Sequence, residues 1–177
     1  KEHPQAQVLF VAGNHEYYDQ EFFTFQNQAR SALADIDNAH FLERDQIDIG
    51  GIQFFGCTLW SGFDAIPDIP AERSMSYAGQ CINDFFLIRY KDRLFNPEDV
   101  RQEYLLSRAW LDDALEKTQG KRRVVITHFP PCMDVRHEGI PSDKLTPYFQ
   151  ANCKDLIELY QPDIWIFGHN HYNHDIA

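Results

Sequence analysis

Three short polar clusters, each placed directly after an apolar run, contain the residue types that could do chemistry. They are Gly13-Asn14-His15-Glu16, Thr127-His128-Phe129-Pro130-Pro131 and Gly168-His169-Asn170-His171. Imidazole nitrogens combined with an amide oxygen favour borderline divalent ions such as Zn, Mn, Fe or Ni over calcium. Glycine beside a cluster lets the backbone turn and approach closely. These residue types therefore predict a transition-metal site.

The apolar runs that precede the clusters predict β-strands. Residues 8–11, 124–127 and 163–167 are short and mostly apolar, as buried strands are. Ligand sites in open α/β sheets lie at the carboxyl ends of the strands, so we expect the three clusters to meet. Taken singly, each cluster is weak evidence, because a lone histidine at a strand end is more often a structural residue. The shared position at strand ends is what predicts one site.

Helical and hairpin signals separate these strands. Residues 22–36 have an apolar stripe at helical spacing after Asp19, which is the predicted N-cap. Asn96-Pro97-Glu98-Asp99 predicts the start of a helix over 97–118, and a further helix is predicted over 147–160. Gly50-Gly51 predicts a hairpin between residues 40 and 60. Strands that alternate with helices indicate the α/β class.

Residues 61–96 lack a regular apolar period. Pro67, Pro70, Gly62 and Gly79 interrupt this segment, which is too long for a simple connection in a compact domain. Such segments are usually functional. The sequence therefore predicts that 61–96 is a lid or specificity insertion outside the core.

Length and charge exclude several classes of protein. The chain has 177 residues, of which 44% are hydrophobic, and its 27 acidic against 16 basic residues give a net charge of −11. These values predict a single globular domain over residues 1–177. No apolar run approaches the roughly 20 residues of a membrane-spanning helix. Nucleic-acid binding is not expected, because it depends mainly on Lys and Arg against phosphates.

The cysteines indicate the redox compartment of the protein, and its first residues indicate whether the sequence is an excerpt. The four cysteines have neither the paired spacing of a zinc site nor the density of a disulfide scaffold. They predict free thiols in a reducing compartment, and hence a cytoplasmic location. The chain begins at Lys1 with no signal peptide, which predicts an excerpt of a longer protein.

In this order, the three clusters resemble the motifs of the calcineurin-like metallophosphoesterase superfamily. The first looks like its Gly-Asn-His-Glu motif, His128 like its next isolated metal histidine, and the third like its closing Gly-His-x-His. Weaker matches resemble a bacterial branch of phosphoesterases, so that the resemblance covers nearly the whole chain. They are residues 56–60, Asn83-Asp84-Phe85, Ile88-Arg89 and residues 165–169. The resemblance implies an α/β/β/α sandwich, with central β-sheets flanked by helices, that is incomplete in this chain.

The resemblance also implies roles for individual residues. Asn14, His128 and His169 match ligands of one metal, and His171 matches a ligand of a second. The implied cofactors are two divalent ions, Mn, Fe, Zn or Ni, whose identity stays open. A hydroxide that bridges them would attack a small phosphorylated substrate, and His15 would donate a proton to the leaving group. Glu16 is expected to orient its loop.

His137, in the proline-rich loop after His128, is a candidate substrate contact.

Two expected motifs are absent: the superfamily has Asp-x-His and Gly-Asp strand ends before Gly-Asn-His-Glu. They would supply further ligands and the bridging carboxylate, so the segment alone is expected to be inactive and the complete protein active.

Several alternatives stay open at this point. Phosphomonoesterase and phosphodiesterase activities use the same ligands, and the oligomeric state is not determined by the sequence. A catalytically silent scaffold or binding protein with the same fold is the second hypothesis. An HNH nuclease, suggested by His169-Asn170-His171, is rejected because those enzymes disperse the three residues over a ββα unit.

Overall fold

The computed structural model describes residues 6–137, 139 and 142–173. Strands and helices alternate along the chain, as the sequence predicts, and sheets flanked by helices confirm the α/β class. The elements are β1 (Val8–Phe10), α1 (Phe22–Leu33), β2 (Ala39–Phe41), β3 (Asp45–Ile49), β4 (Ile52–Cys57), α2 (Ala71–Cys81), α3 (Asp84–Leu87), β5 (Arg89–Tyr90), β6 (Arg93–Leu94), α4 (Pro97–Lys117), β7 (Arg122–Thr127), α5 (Lys154–Tyr160) and β8 (Ile164–Ile166). Short 3-10 turns cover His15–Tyr17, Met133–Val135 and Thr146–Tyr148.

The largest sheet has the strand order β3-β4-β7-β8. Strands β3 and β4 form the predicted antiparallel hairpin, closed by Gly50 and Gly51 at φ values of 62° and 82°. Such left-handed values suit glycine, which has no Cβ to clash. Strands β4, β7 and β8 run parallel, with Cys57 beside Thr127 and Ile126 beside Ile166. The chain therefore leaves all three strands at the same edge of the sheet.

Strand β1 reaches that edge from a separate parallel pair with β2. The hydroxyl of Thr58, just beyond β4, donates to the carbonyl of Ala12 at 2.9 Å. Its Oγ1 also lies 2.7 Å from the Glu43 carboxylate, which accepts from the Thr58 amide as well. Ala12, Thr58 and Glu43 are all buried. This junction fixes the loop after β1 against the end of the main sheet.

Helix α4 follows the sequence prediction closely because its start is encoded locally. The Asn96 side chain accepts from the Asp99 amide at 3.0 Å, and the Asp99 carboxylate accepts from the Asn96 amide at 3.0 Å. Pro97 occupies the first helical position, where its missing amide costs nothing. Val100 and Leu111 on the inner face are fully buried.

Two helix boundaries differ from the prediction. Helix α1 begins at Phe22 with Glu21 as its cap, whose carboxylate accepts from the Thr24 amide at 2.8 Å. Asp19 does not cap it, because its backbone turns the chain at a left-handed φ of 59°. The predicted helix over 147–160 is shorter and starts at Lys154. The preceding amides, of Ala151 and Cys153, bond to the loop after β7 and not along a helix.

The prediction that residues 61–96 lie outside the core is wrong. The segment contains α2, α3, β5 and β6. Phe63, Ile88 and Phe95 are buried to within 1% of full burial, and the Phe95 ring lies 5.1 Å from that of Trp60. Aromatic residues can pack into a core without a regular spacing along the chain. The missing apolar period of residues 61–96 therefore did not mean that this segment lies outside the core. A role of this segment in specificity stays a prediction.

Within the described residues, no helix combines the length and apolar character needed to cross a membrane. The longest, α4, has 21 residues and carries charged side chains along much of its length.

Candidate active site

Three of the predicted ligands meet at the shared edge of the sheets. His128 follows β7, and its Nε2 lies 3.1 Å from Oδ1 of Asn14 and 3.1 Å from Nδ1 of His169. Asn14 is buried in the loop after β1, whereas His169 lies in the loop after β8. Two imidazole nitrogens and one amide oxygen thus face one another, although they come from three separate strand ends.

The close approach of His128 to the loop after β1 requires glycine at position 13. A Cβ built on Gly13 would lie 2.6 Å from Cε1 of His128 and 2.7 Å from its Nδ1, closer than side chains tolerate. At Gly168 the corresponding atom would lie 3.6 Å from Nδ1 of His128, an ordinary contact. Gly13 therefore keeps the His128 ring against the loop after β1, as the sequence motif suggests.

The Gly13 loop is held from within. The amide of Gly13 donates to the Glu16 carboxylate at 2.8 Å, which confirms the expected orienting role of Glu16. The short 3-10 turn His15–Tyr17 follows immediately. These contacts set the direction in which Asn14 and His15 leave the backbone.

Burial keeps the two central histidines uncharged. The pKa of His128 is lowered to about 4, mainly by burial; the Glu16 carboxylate opposes the shift, and His15 and His171 add to it. Burial, followed by the neighbouring histidines, lowers the pKa of His169 well below its usual value. At pH 7 both imidazoles are therefore neutral and each has a nitrogen lone pair available for a ligand.

A cavity of about 550 Å³ opens beside these residues. The three remaining predicted site residues, His15, His137 and His171, all line it. His15 is exposed, and its ring packs on that of Tyr18 at 4.6 Å. His137 packs on Tyr172 at 4.3 Å, and its Nδ1 accepts from the Gly139 amide at 3.0 Å. The structure thus brings all six predicted residues to one cavity.

The sequence assigned no role to a buried carboxylate beside Asn14. Asp84 is fully buried, and its Oδ1 accepts from Nδ2 of Asn14 at 2.9 Å and from the Tyr18 hydroxyl at 2.8 Å. Its Oδ2 accepts from the Tyr148 hydroxyl. The only signal was the resemblance of Asn83-Asp84-Phe85 to a bacterial branch, because these contacts join residues up to 70 positions apart.

The remaining cavity wall is partly apolar. Ile82 and Phe149 line it, and Arg136 is the only Lys or Arg among its described lining residues. Nε2 of His169 and Oε1 of Gln150 are buried without a hydrogen-bond partner in the described part of the chain. The wall therefore combines an apolar surface with polar atoms that could still form hydrogen bonds.

The central donor set fits a divalent ion. Adjacent ligands at an ion with bonds of about 2.1 Å lie about 3.0–3.4 Å apart, close to the two 3.1 Å separations around Nε2 of His128. Neutral imidazole and amide oxygen suit Zn, Mn, Fe or Ni. Over residues 6–137, 139 and 142–173, however, no three His, Cys, Asp or Glu side chains group as a metal site would require. The fit therefore extends to Asn14, His128 and His169.

Comparisons with known proteins concern the family and the fold of this chain. The family model described as calcineurin-like phosphoesterase matches residues 1–173. An uncharacterized protein of Acanthamoeba polyphaga mimivirus is 25% identical over 190 residues, which cover 93% of this chain and 61% of that protein. A crystal structure at 16% identity superposes with a TM-score of 0.53 over 97% of this chain and 54% of its own, and so supports the fold. The chain thus spans a little over half the length of these two proteins.

Proposed function

We propose that this chain, which belongs to the calcineurin-like phosphoesterase family, supplies most of the active site of a metal-dependent phosphoester hydrolase. The observation that supports the proposal best is that Oδ1 of Asn14 and Nδ1 of His169 each lie 3.1 Å from Nε2 of His128, at one sheet edge. Buried neutral imidazoles are suited to hold an ion and poorly suited to a purely structural salt bridge. Family membership supplies the reaction class, phosphoester hydrolysis.

Asn14, His128 and His169 would hold one divalent ion, and His171 would contribute to a second on the open side of the cavity. When bound, such ions lower the pKa of coordinated water and offset negative charge on phosphoryl oxygens. Gly13 and Glu16 would keep Asn14 and His128 in position. The protein would thus provide a local positive centre despite its net charge of −11.

His15 would act as the proton donor to the leaving group. It lines the cavity and is exposed, so its ring can reach a substrate oxygen, unlike the buried rings of His128 and His169. The Tyr18 ring beneath it, at 4.6 Å, limits the directions that the imidazole can take. A positioned imidazole is an effective general acid near neutral pH.

The substrate would be a small phosphorylated molecule, as a monoester or a diester. A volume of about 550 Å³ accommodates a phosphate with an attached organic group, and Ile82 and Phe149 offer that group an apolar surface. His137 and Arg136 line the same cavity and are candidates to contact substrate oxygens. The acidic total charge argues against nucleic acid. The four free cysteines support a reducing compartment, and we propose the cytoplasm.

The test is a turnover assay on the full-length protein, with whatever residues precede and follow this chain. The protein is stripped with a chelator, reloaded with Mn, Fe, Zn or Ni, and assayed on nitrophenyl phosphate, bis(nitrophenyl) phosphate and an alkyl phosphate. We expect turnover of at least one ester that disappears on chelation and in His128→Gln. A metal-loaded, folded protein without turnover on any ester would contradict the proposal.

A second function, a silent scaffold or binding protein, is favoured by one observation. The described residues provide an amide and two imidazoles at the centre but no larger group of metal-binding side chains. The same assay separates the two functions, because a scaffold would show no metal-dependent turnover even at full length.

A further inference from the structure

Asp84 is a fully buried carboxylate that neutral groups surround. It accepts hydrogen bonds from the Asn14 side-chain amide, from the Tyr18 hydroxyl and from the Tyr148 hydroxyl. No Lys, Arg or His side chain forms an ion pair with it in the described part of the chain. Burying a carboxylate without a cation is costly unless hydrogen bonds compensate it fully. One of the hydrogen bonds that compensate it comes from the predicted ligand Asn14.

The two tyrosines can serve Asp84 only as donors. Burial and the neighbouring Asp84 raise the pKa of Tyr18 and of Tyr148, so both hydroxyls stay protonated. The Tyr148 hydroxyl bonds to Oδ2, whereas Tyr18 and Asn14 share Oδ1. The carboxylate is therefore held from both sides, and its Oδ1 points at Asn14.

This arrangement determines which end of the Asn14 amide faces His128. The oxygen and the nitrogen of an asparagine amide are nearly equal in size, but only the oxygen has lone pairs for a metal. A carboxylate accepts hydrogen bonds and cannot donate them, so it binds the Nδ2 end and rejects the Oδ1 end. With Nδ2 bound to Asp84, Oδ1 of Asn14 lies 3.1 Å from Nε2 of His128.

We infer that Asp84 is a positioning residue that holds Asn14 with its oxygen toward the metal site, an inference that rests on the proposed function. Asp84 also accepts from Tyr18, whose ring packs under His15, so one carboxylate supports the proposed ligand and the proposed acid. Residues 61–96 thus contribute to the site through Asp84 as well as to the core.

The experiment compares two substitutions of Asp84 with a matched control in the full-length protein. Asp84→Leu removes the acceptor while keeping the same branched arrangement of side-chain heavy atoms, whereas Asp84→Asn keeps an oxygen that can accept from Asn14. Tyr160→Phe is the control, because it removes a tyrosine hydroxyl that donates to a different carboxylate, that of Asp112, and neither residue lines the cavity. The readouts are the affinity for Mn²⁺ alone, measured by calorimetry, and the side-chain amide signals of Asn14, measured by NMR without metal.

We expect Asp84→Leu to weaken Mn²⁺ binding by about 10-fold to 100-fold, as loss of a ligand's hydrogen-bond partner typically does. Its Asn14 amide protons should exchange quickly with water, whereas Asp84→Asn and Tyr160→Phe should stay close to the wild type in both readouts. Asp84→Leu that is less stable but keeps wild-type affinity and Asn14 signals would overturn the inference, because its role would then be structural only.

If Asp84→Leu does not fold, the wild-type spectrum still tests the inference. Wild-type Asn14 amide protons should exchange much more slowly than those of the exposed Asn173; equal rates would overturn the inference. Neither readout needs hydrolysis. A protein without turnover can therefore still support the role of Asp84, and an active one can still refute it.

Discussion

Gly13→Ala tests the packing that holds His128 beside the loop after β1. The added Cβ would lie 2.6 Å, 2.7 Å and 2.9 Å from Cε1, Nδ1 and Nε2 of the His128 ring. Gly13 has no left-handed φ, so alanine strains the ring contact and not the backbone. The amide that donates to Glu16 is also retained. The perturbation is therefore confined to the position of one imidazole.

The size of the effect follows from these distances. Carbon atoms in contact rest about 3.5–4.0 Å apart, so the His128 ring must retreat by about 1 Å from its place. Protein–metal distances are met within about 0.2 Å, and a 1 Å misplacement can lower catalysis by about 100-fold. Overpacking of this kind costs about 1–3 kcal/mol of unfolding free energy. We expect a folded protein with weakened metal binding and about 100-fold lower turnover.

Gly168→Ala is the matched control, because its Cβ meets the same ring at 3.6 Å from Nδ1. Both variants are compared with the wild type, at full length, by calorimetric titration with Mn²⁺, by ester hydrolysis and by urea unfolding. Gly168→Ala should keep metal affinity and turnover. If Gly13→Ala matched Gly168→Ala in both, the reasoning from the His128 contact would be refuted.

Two further predictions concern histidines. His15→Gln should keep metal occupancy and slow turnover by about 100-fold to 10,000-fold. The loss should be larger on an alkyl phosphate than on nitrophenyl phosphate, because nitrophenolate departs without protonation. Equal losses on the two substrates, or loss of metal, would refute the role of His15. The pKa of His128 is lowered to about 4 in the folded state, mainly by burial. Between pH 6.5 and 4 the unfolded state therefore binds more protons than the folded state. Acidification should then lower the unfolding free energy of the metal-free protein by up to about 3 kcal/mol. Urea unfolding from pH 7 to 4 measures this loss, which His128→Gln should reduce; an unchanged pH slope in that variant would contradict the assignment.

The sequence predicted those parts of the fold whose signals are local. The cap of α4 and the Gly50-Gly51 hairpin depend on residues within a few positions of one another, and both are confirmed. The start of α1 was missed because Glu21 supplies the cap and Asp19 adopts a left-handed turn. Both residues are acidic and precede the same apolar stripe, so type and spacing alone could not separate them.

The residues of the candidate site also fall into those that the sequence could predict and one that it could not. Asn14, His128 and His169 could be proposed because each follows an apolar strand, and the parallel sheet brings such ends together. Asp84 could not, because it approaches Asn14 from 70 positions away, within a segment of irregular sequence. Tertiary packing of the aromatic residues in 61–96, which no pattern encodes, decides where that carboxylate lies.

The last prediction concerns the 177-residue chain by itself. The resemblance implies two metal ions, but at the centre the described residues offer one amide oxygen and two imidazoles, with no group of three or more His, Cys, Asp or Glu. One weak site at best is therefore expected, and without a second ion the charge of the phosphoryl oxygens is not offset.

The apolar side chains Ile164 and Ile166 of β8, at the end of the main sheet, are 52% and 50% exposed, so the isolated chain is also expected to self-associate. We expect the isolated chain to be metal-poor and inactive and the full-length protein to be active. Parallel titrations with Mn²⁺ and Zn²⁺, assays on nitrophenyl esters and light scattering compare the two. Two tight sites with comparable turnover in the isolated chain would mean that its own residues complete the site, and the ligand set argued above would then be wrong.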